Sequence, residues 1–142
     1  MDWHVRAFVR SAVVWLALGV TLGVAMALHP PLLAYRAVHL HLNLVGFMSM
    51  MVFGVGYHIF PRFAGVPLPH PRVAVLHWWV ANAGLVLLTA GFVQRYSGGA
   101  GSTPLLAGGG GLTALGAYCF AWLVWRTLGA APPARVPLAR RG

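Results

Sequence analysis

The chain has 142 residues, of which 59% are hydrophobic and only 8% charged, with a net charge of +9. A water-soluble domain carries about 25% charged residues, so that class is excluded. Four membrane spans of about 20 residues each use nearly the whole chain and leave no room for a second domain.

All ten basic residues are arginines, and the only acid is Asp2. In a soluble protein that balance would suggest nucleic acid. Here the arginines flank apolar runs, which is the pattern of positive-inside topology and attraction to anionic lipid. The expected partner is therefore the lipid bilayer and not nucleic acid. One cysteine, Cys119, lies in an apolar run. It permits no intrachain disulfide and no cysteine-based metal motif, and it reads as a packing residue. The N-terminus shows no small-residue cleavage site after its first apolar run, so that run reads as a spanning helix rather than a leader.

In chain order, the expected elements are four helices. The first covers about 8–28, with Arg6 and Arg10 at its start and His29, Pro30 and Pro31 at its end. It carries a GxxxG pattern, Gly19 to Gly23, of the kind that lets a second helix approach closely. A short connection, Pro30 to Ala37, precedes the second helix at about 38–60, which Pro61 should stop. A proline-rich loop from Arg62 to Arg72 leads to the third helix at about 73–93, which contains His77, Trp78, Trp79 and Asn82. A Gly/Ser turn then leads to the fourth, at about 104–125, followed by a flexible basic tail over 127–142. The fold class is all-α, an integral membrane four-helix bundle forming one domain.

Arginine counting gives the topology. Arg6, Arg10, Arg62, Arg72, Arg126, Arg135, Arg140 and Arg141 fall on one side, and Arg36 and Arg95 on the other. Both termini are expected in the cytoplasm. His39 and His41 then lie near the outer surface, and His58 and His77 near the inner one. The 19 residues from His39 to His58 span about 28 Å at 1.5 Å per residue, so the two groups cannot share one iron.

The stretch His39 to Arg62 holds the chemistry. Ionisable or ligating groups in such a helix are costly and commonly functional. His39 and His41 point about 160° apart on a regular helix. One stripe holds His39, Asn43, Gly46, Met50 and Tyr57; the other holds His41, Val45, Met48, Val52 and Ile59. Gly46 lies about two turns below His39, where a porphyrin would need a flat strip of helix. Arg36, one turn above, would meet haem propionates. Neutral imidazole is the usual haem and metal ligand. The bland readings are an interfacial, hydrated pair for His39 and His41, and an interfacial belt for His77 with its two tryptophans. His58 and His77 at similar depth form a possible second site. His4, His29 and His70 read as end or loop residues. Met48, Met50 and Met51 read as packing, which leaves copper the lesser alternative to haem.

Arg36, His39, Asn43, Gly46 and Arg62 together resemble the second helix of the catalytic subunit of haem-copper oxidases, especially the C-family. There, an arginine three residues before a histidine, with a glycine seven residues after it, accompanies a low-spin haem b ligand. The HLHLN segment at His39 to Asn43 and the HWWxxNxG segment at His77 to Gly84 resemble small four-helix bacterial membrane proteins described as oxidase-subunit-I-like. The resemblance implies haem b as cofactor, a bacterial-type cytoplasmic membrane, and electron transfer or binding of haem or a diatomic gas. The later helices that complete an oxidase active site have no counterpart here, so an incomplete oxidase is expected. A diheme relay and a non-catalytic metal-binding or assembly protein are the alternatives. A homodimer or higher homo-oligomer is expected, packed through Gly19 and Gly23 or through Gly84 and Gly91, because four short helices enclose little space for a porphyrin.

Overall fold

The computed structural model describes residues 2–130. Most of the expected tail, with Arg135, Arg140 and Arg141, lies outside them. The described residues form helices and no strand. Four helices are long and apolar enough to cross a membrane: α1 (Trp3–Leu28), α2 (Pro30–Ala64), α3 (Pro71–Tyr96) and α4 (Ser102–Leu128). The fourth runs through Thr127 and Leu128, two residues assigned above to the tail. Thr127 is buried, and its hydroxyl donates to the Leu123 carbonyl.

Side-chain pairs fix the arrangement. The hydrogen bonds Trp78–Ser11 and Trp15–Asn82 both join residues 67 apart, so α1 and α3 run parallel and in register. His4 meets Tyr57, and Phe8 meets Phe53, so α1 and α2 run antiparallel. At the end where α3 begins and α4 ends, His70 stacks on Trp122. At the opposite end Tyr35 meets Tyr96, and His41 meets Phe92. The up-down order therefore gathers Arg6, Arg10, Arg62, Arg72 and Arg126 at one end, hereafter the arginine-rich end. Arg36 and Arg95 lie at the other.

The core is narrow and lies at the arginine-rich half, built on Val5, Phe8, Met50, Tyr57, Leu85 and Leu123. Rows of large apolar side chains remain on the outside, such as Val13, Val14, Leu18, Val20 and Val24 along α1. An apolar exterior on this scale is a liability in water and suits a hydrocarbon solvent.

The second helix departs most from expectation. It begins at Pro30 with a 3₁₀ stretch to Tyr35, where a connection was expected. It continues as α-helix over Arg36–His41, as π-helix over Leu42–Ser49, and as α-helix again over Met50–Ala64. Pro61 does not stop it. The missing N–H leaves only the Tyr57 carbonyl without its helical donor, and the chain completes one more turn. It ends at Gly65, in the left-handed region at φ 65°. There Gly65 N–H donates to Arg62 O and Val66 N–H to Pro61 O, the paired closure of a Schellman motif.

The π stretch matters most for the site. The buried positions of α2 are Val38, Leu42, Gly46, Met50, Gly54, Gly56 and Tyr57. Four successive steps of four residues would drift by about 160° around a regular α-helix. Winding wider, with bonds from residue i to i+5, holds Val38 to Gly54 on one line. His39 and Asn43 lie half-buried beside that line, against Gly23 and Gly19 of α1.

Small residues set two close contacts. A methyl group added at Gly23 would lie 2.8 Å from His39 Cε1. The GxxxG face is thus taken up inside the chain, against α2. Gly84 and Gly91 of α3 press on Thr113 and Leu106 of α4 in the same way, at 2.8 and 2.9 Å from an added methyl. Both faces expected to carry a homo-oligomer are spent on intrachain packing, so self-association would need another surface. Of the Gly108–Gly111 run, only Gly109 is engaged; Gly110 faces open space. Replacing Gly84 by Val is expected to cost about 1–3 kcal/mol by overpacking. Gly110→Ala is expected to leave stability unchanged. Thermal unfolding in detergent, followed by helical circular dichroism, measures both.

Candidate functional site

Two histidine groups lie at opposite ends of the bundle, and they are built differently. At the end away from the arginines, His39 and His41 project from the short α segment of α2. His39 is half-buried against α1, with its Nδ1 2.9 Å from the Gly19 carbonyl oxygen. A carbonyl only accepts, so the shorter contact places the proton on Nδ1 and, in the neutral ring, the lone pair on Nε2; Asn43 Nδ2, 3.4 Å from the same Nδ1, then donates elsewhere. Asn43 holds the same turn by donating from Nδ2 to the His39 carbonyl at 2.8 Å. His41 Nδ1 donates likewise to the Ala37 carbonyl at 2.7 Å. Its ring lies against Phe92 of α3, with centroids 4.8 Å apart. Each imidazole is therefore fixed in the tautomer that leaves Nε2 free to bind a metal, the support that ligating histidines ordinarily receive.

The two imidazoles serve different neighbours, one toward α1 and one toward α3. Arg36 is exposed and, with Leu33, Ala34, Ala37, Leu40 and Tyr96, lines an open cavity of about 410 Å³ beside this end. Gly46 is buried, and a methyl group there would meet Trp15 Cβ at 2.6 Å and Leu85 Cδ2 at 2.9 Å. The strip expected to lie under a porphyrin is thus filled by α1 and α3. The donor atoms fit an iron, but a porphyrin plane does not fit over Gly46 within one chain. Within a single chain, then, the strip at Gly46 is occupied by Trp15 and Leu85. His39, Asn43 and Gly46 follow one another along α1, against Gly23, Gly19 and Trp15.

At the arginine-rich end His77 is fully buried, not part of an interfacial belt. Its Nδ1 lies 2.7 Å from the Tyr57 hydroxyl. Phe8, Phe53 and Phe120 pack around its ring, with centroids at 4.8, 4.7 and 6.4 Å. Nε2 has no partner. Either Tyr57 donates to Nδ1 and only the Nε2 proton is unpaired, or Nδ1–H donates to Tyr57 and both the phenol proton and the Nε2 lone pair are unpaired; the first leaves the fewer groups without a partner. Gly116 makes room for this edge of the ring, because a methyl there would stand 3.3 Å from Nε2. His58 turns elsewhere: Arg62 donates to its Nδ1 at 2.8 Å and to its carbonyl at 2.6 Å. His58 and His77 thus each have a different partner and form no joint site. Among the described residues no group of three histidine, cysteine or acidic side chains is placed to hold a metal ion.

His4 joins this buried group. The sequence places it at a helix end, yet it is 5% exposed and packs edge-on against Tyr57. Its spacing to Phe8 and Ala12 repeats every four residues, which marks the inward face of α1 and was the available signal. Of the methionines, Met50 is buried and Met48 is exposed, so they line no continuous sulfur path. Compared with known protein families, curated proteins and solved structures, the chain matches none.

The Tyr57–His77 bond makes a stability prediction. Tyr57→Phe removes one partner and leaves a buried imidazole with both nitrogens unpaired, at a cost of about 1–3 kcal/mol. The double variant Tyr57→Phe/His77→Leu removes both polar partners and is expected to recover most of that loss. Unfolding midpoints of wild type and the two variants in one detergent make the comparison, and a double variant less stable than the single would contradict it.

Proposed function

We propose that this chain is a multi-pass protein of a bacterial-type cytoplasmic membrane, with both termini cytoplasmic, that binds b-type haem through imidazoles at the outer end of α2. The observation that carries the reading is the backbone support of His39 and His41. Both rings spend Nδ1–H on a carbonyl and present Nε2 as a free donor atom. That is the state in which a histidine ligates iron. Bound haem would supply one-electron transfer or the binding of a diatomic gas. With Gly46 covered, the ring would lie outside the single bundle, and a second copy of the chain is the natural source of the other wall and of a second axial ligand. Arg36, exposed at the same end, is the cation suited to the propionates.

A bare metal ion, copper or zinc, is the second reading. The filled strip at Gly46 favours it, because an ion needs no porphyrin-sized space. The diheme relay draws no support from the inner end, where His58 and His77 have separate partners.

The optical spectrum of protein expressed with ample haem separates these. Haem binding is expected, with the spectrum lost or converted in His39→Ala or His41→Ala and retained in His77→Ala. Protein that folds, takes up no haem and binds copper or zinc through the same two histidines would favour the second reading. The topology is tested apart from the ligand. A reporter fused after Gly142 is expected to score as cytoplasmic, as the eight-to-two arginine asymmetry requires.

A further inference from the structure

A groove of the molecule is unrelated to the histidines. It lies between α1 and α3 at the arginine-rich end and has a volume of about 570 Å³. Its α1 wall is one helical stripe, Trp3, Arg6, Ala7, Arg10, Ser11 and Val14, with Trp15 beside it; its α3 wall is Trp78 and Asn82. Two hydrogen bonds fix the floor. Trp78 Nε1 donates to Ser11 Oγ at 3.0 Å, and Trp15 Nε1 donates to Asn82 Oδ1 at 3.1 Å. Trp3 meets Trp78 edge-on at 5.4 Å and closes the mouth. The indoles are thus held in place and the guanidiniums are free to move over them.

The charge in this groove is uncompensated by the protein. The chain has ten arginines and one acid, so at most one guanidinium can find a carboxylate side chain. Arg6 and Arg10 lie one turn apart on the same face, and both are exposed. A pair of guanidiniums so spaced can take the oxygens of one phosphodiester, each through two parallel N–H donors. Deeper in, the lining turns to Ala7, Val14 and the face of Trp15, which offers no partner to a free anion but suits the start of an acyl chain. Tryptophans at the rim match the depth of a lipid headgroup.

We propose that this groove is a binding site for an anionic glycerophospholipid of the leaflet at the arginine-rich end. Its phosphate lies between Arg6 and Arg10, and one acyl chain runs along Val14 and Trp15. The inference rests on the membrane placement proposed above and not on haem binding, so loss of the haem reading leaves it standing. Basic pockets between spanning helices are a general form of lipid-headgroup site.

Native mass spectrometry of the purified full-length protein tests it, with phosphatidylglycerol and phosphatidylcholine of equal chain length as probes. Wild type is expected to retain one phosphatidylglycerol in preference to phosphatidylcholine by roughly tenfold, as two surface arginines can supply. Arg6→Gln/Arg10→Gln is expected to lose that preference. Arg72→Gln/Arg126→Gln removes the same charge at the same end, outside the groove, and is expected to keep it. Equal retention of the two lipids by wild type would overturn the proposal. So would equal loss in both double variants, which would indicate bulk charge. Displacement of phosphatidylglycerol by millimolar inorganic phosphate would show an anion site without a lipid chain, and would overturn it too.

Discussion

The wide winding of α2 from Leu42 to Ser49 sets which side chains of that helix face the core. It holds Val38, Leu42, Gly46, Met50 and Gly54 on one inward line, and Ser49 supports it by donating from its hydroxyl to the Leu44 carbonyl, five residues back. A π segment is costly and is found most often where a site needs it. Here it separates the two jobs of α2. The inward line packs; the residues beside it, His39, His41 and Asn43, are left for polar contacts with α1 and with their own backbone.

Close helix approach is the second constraint, and it suits four helices apolar enough to cross a membrane. Where the solvent is as apolar as a leucine side chain, burying apolar surface gives little drive, and helices associate through tight packing and polar contacts. Both devices meet at His39. Gly23 leaves space for the ring, and Gly19 presents its carbonyl to Nδ1. The same glycine pair that reads as a dimer motif is therefore part of the support of a single imidazole.

The four helices and the grouping of arginines were legible because apolar length and charge at helix ends depend on composition alone. Which face of α2 carries what was not legible. It depends on residues per turn, and nothing in the letters from Leu42 to Ser49 announces a change from 3.6. That Trp15 and Leu85 fill the strip at Gly46 depends on that winding and on side chains from two other helices. Pro61 misled in a different way: proline is costly within a helix, yet near the last turn it removes one bond, and the stop signal was Gly65 four residues later. His77 and His4 were misplaced because a histidine near a helix end is ordinarily hydrated. Their burial needed Tyr57 and three phenylalanines from other helices, contacts that no local pattern contains.

The contrast between the two ends bears on which histidines can do chemistry. At the arginine-rich end His77 has one polar partner, Tyr57, and is walled by Phe8, Phe53 and Phe120. To bind a metal there, Nε2 would have to displace the wall beside Gly116, and a close-packed interior resists that. At the other end the backbone already holds the proton on Nδ1, so no proton has to leave and no packing has to open before Nε2 binds. A ligand at His39 or His41 competes only with whatever covers a half-buried surface. The two rings face different helices, so they do not converge on one atom within the bundle.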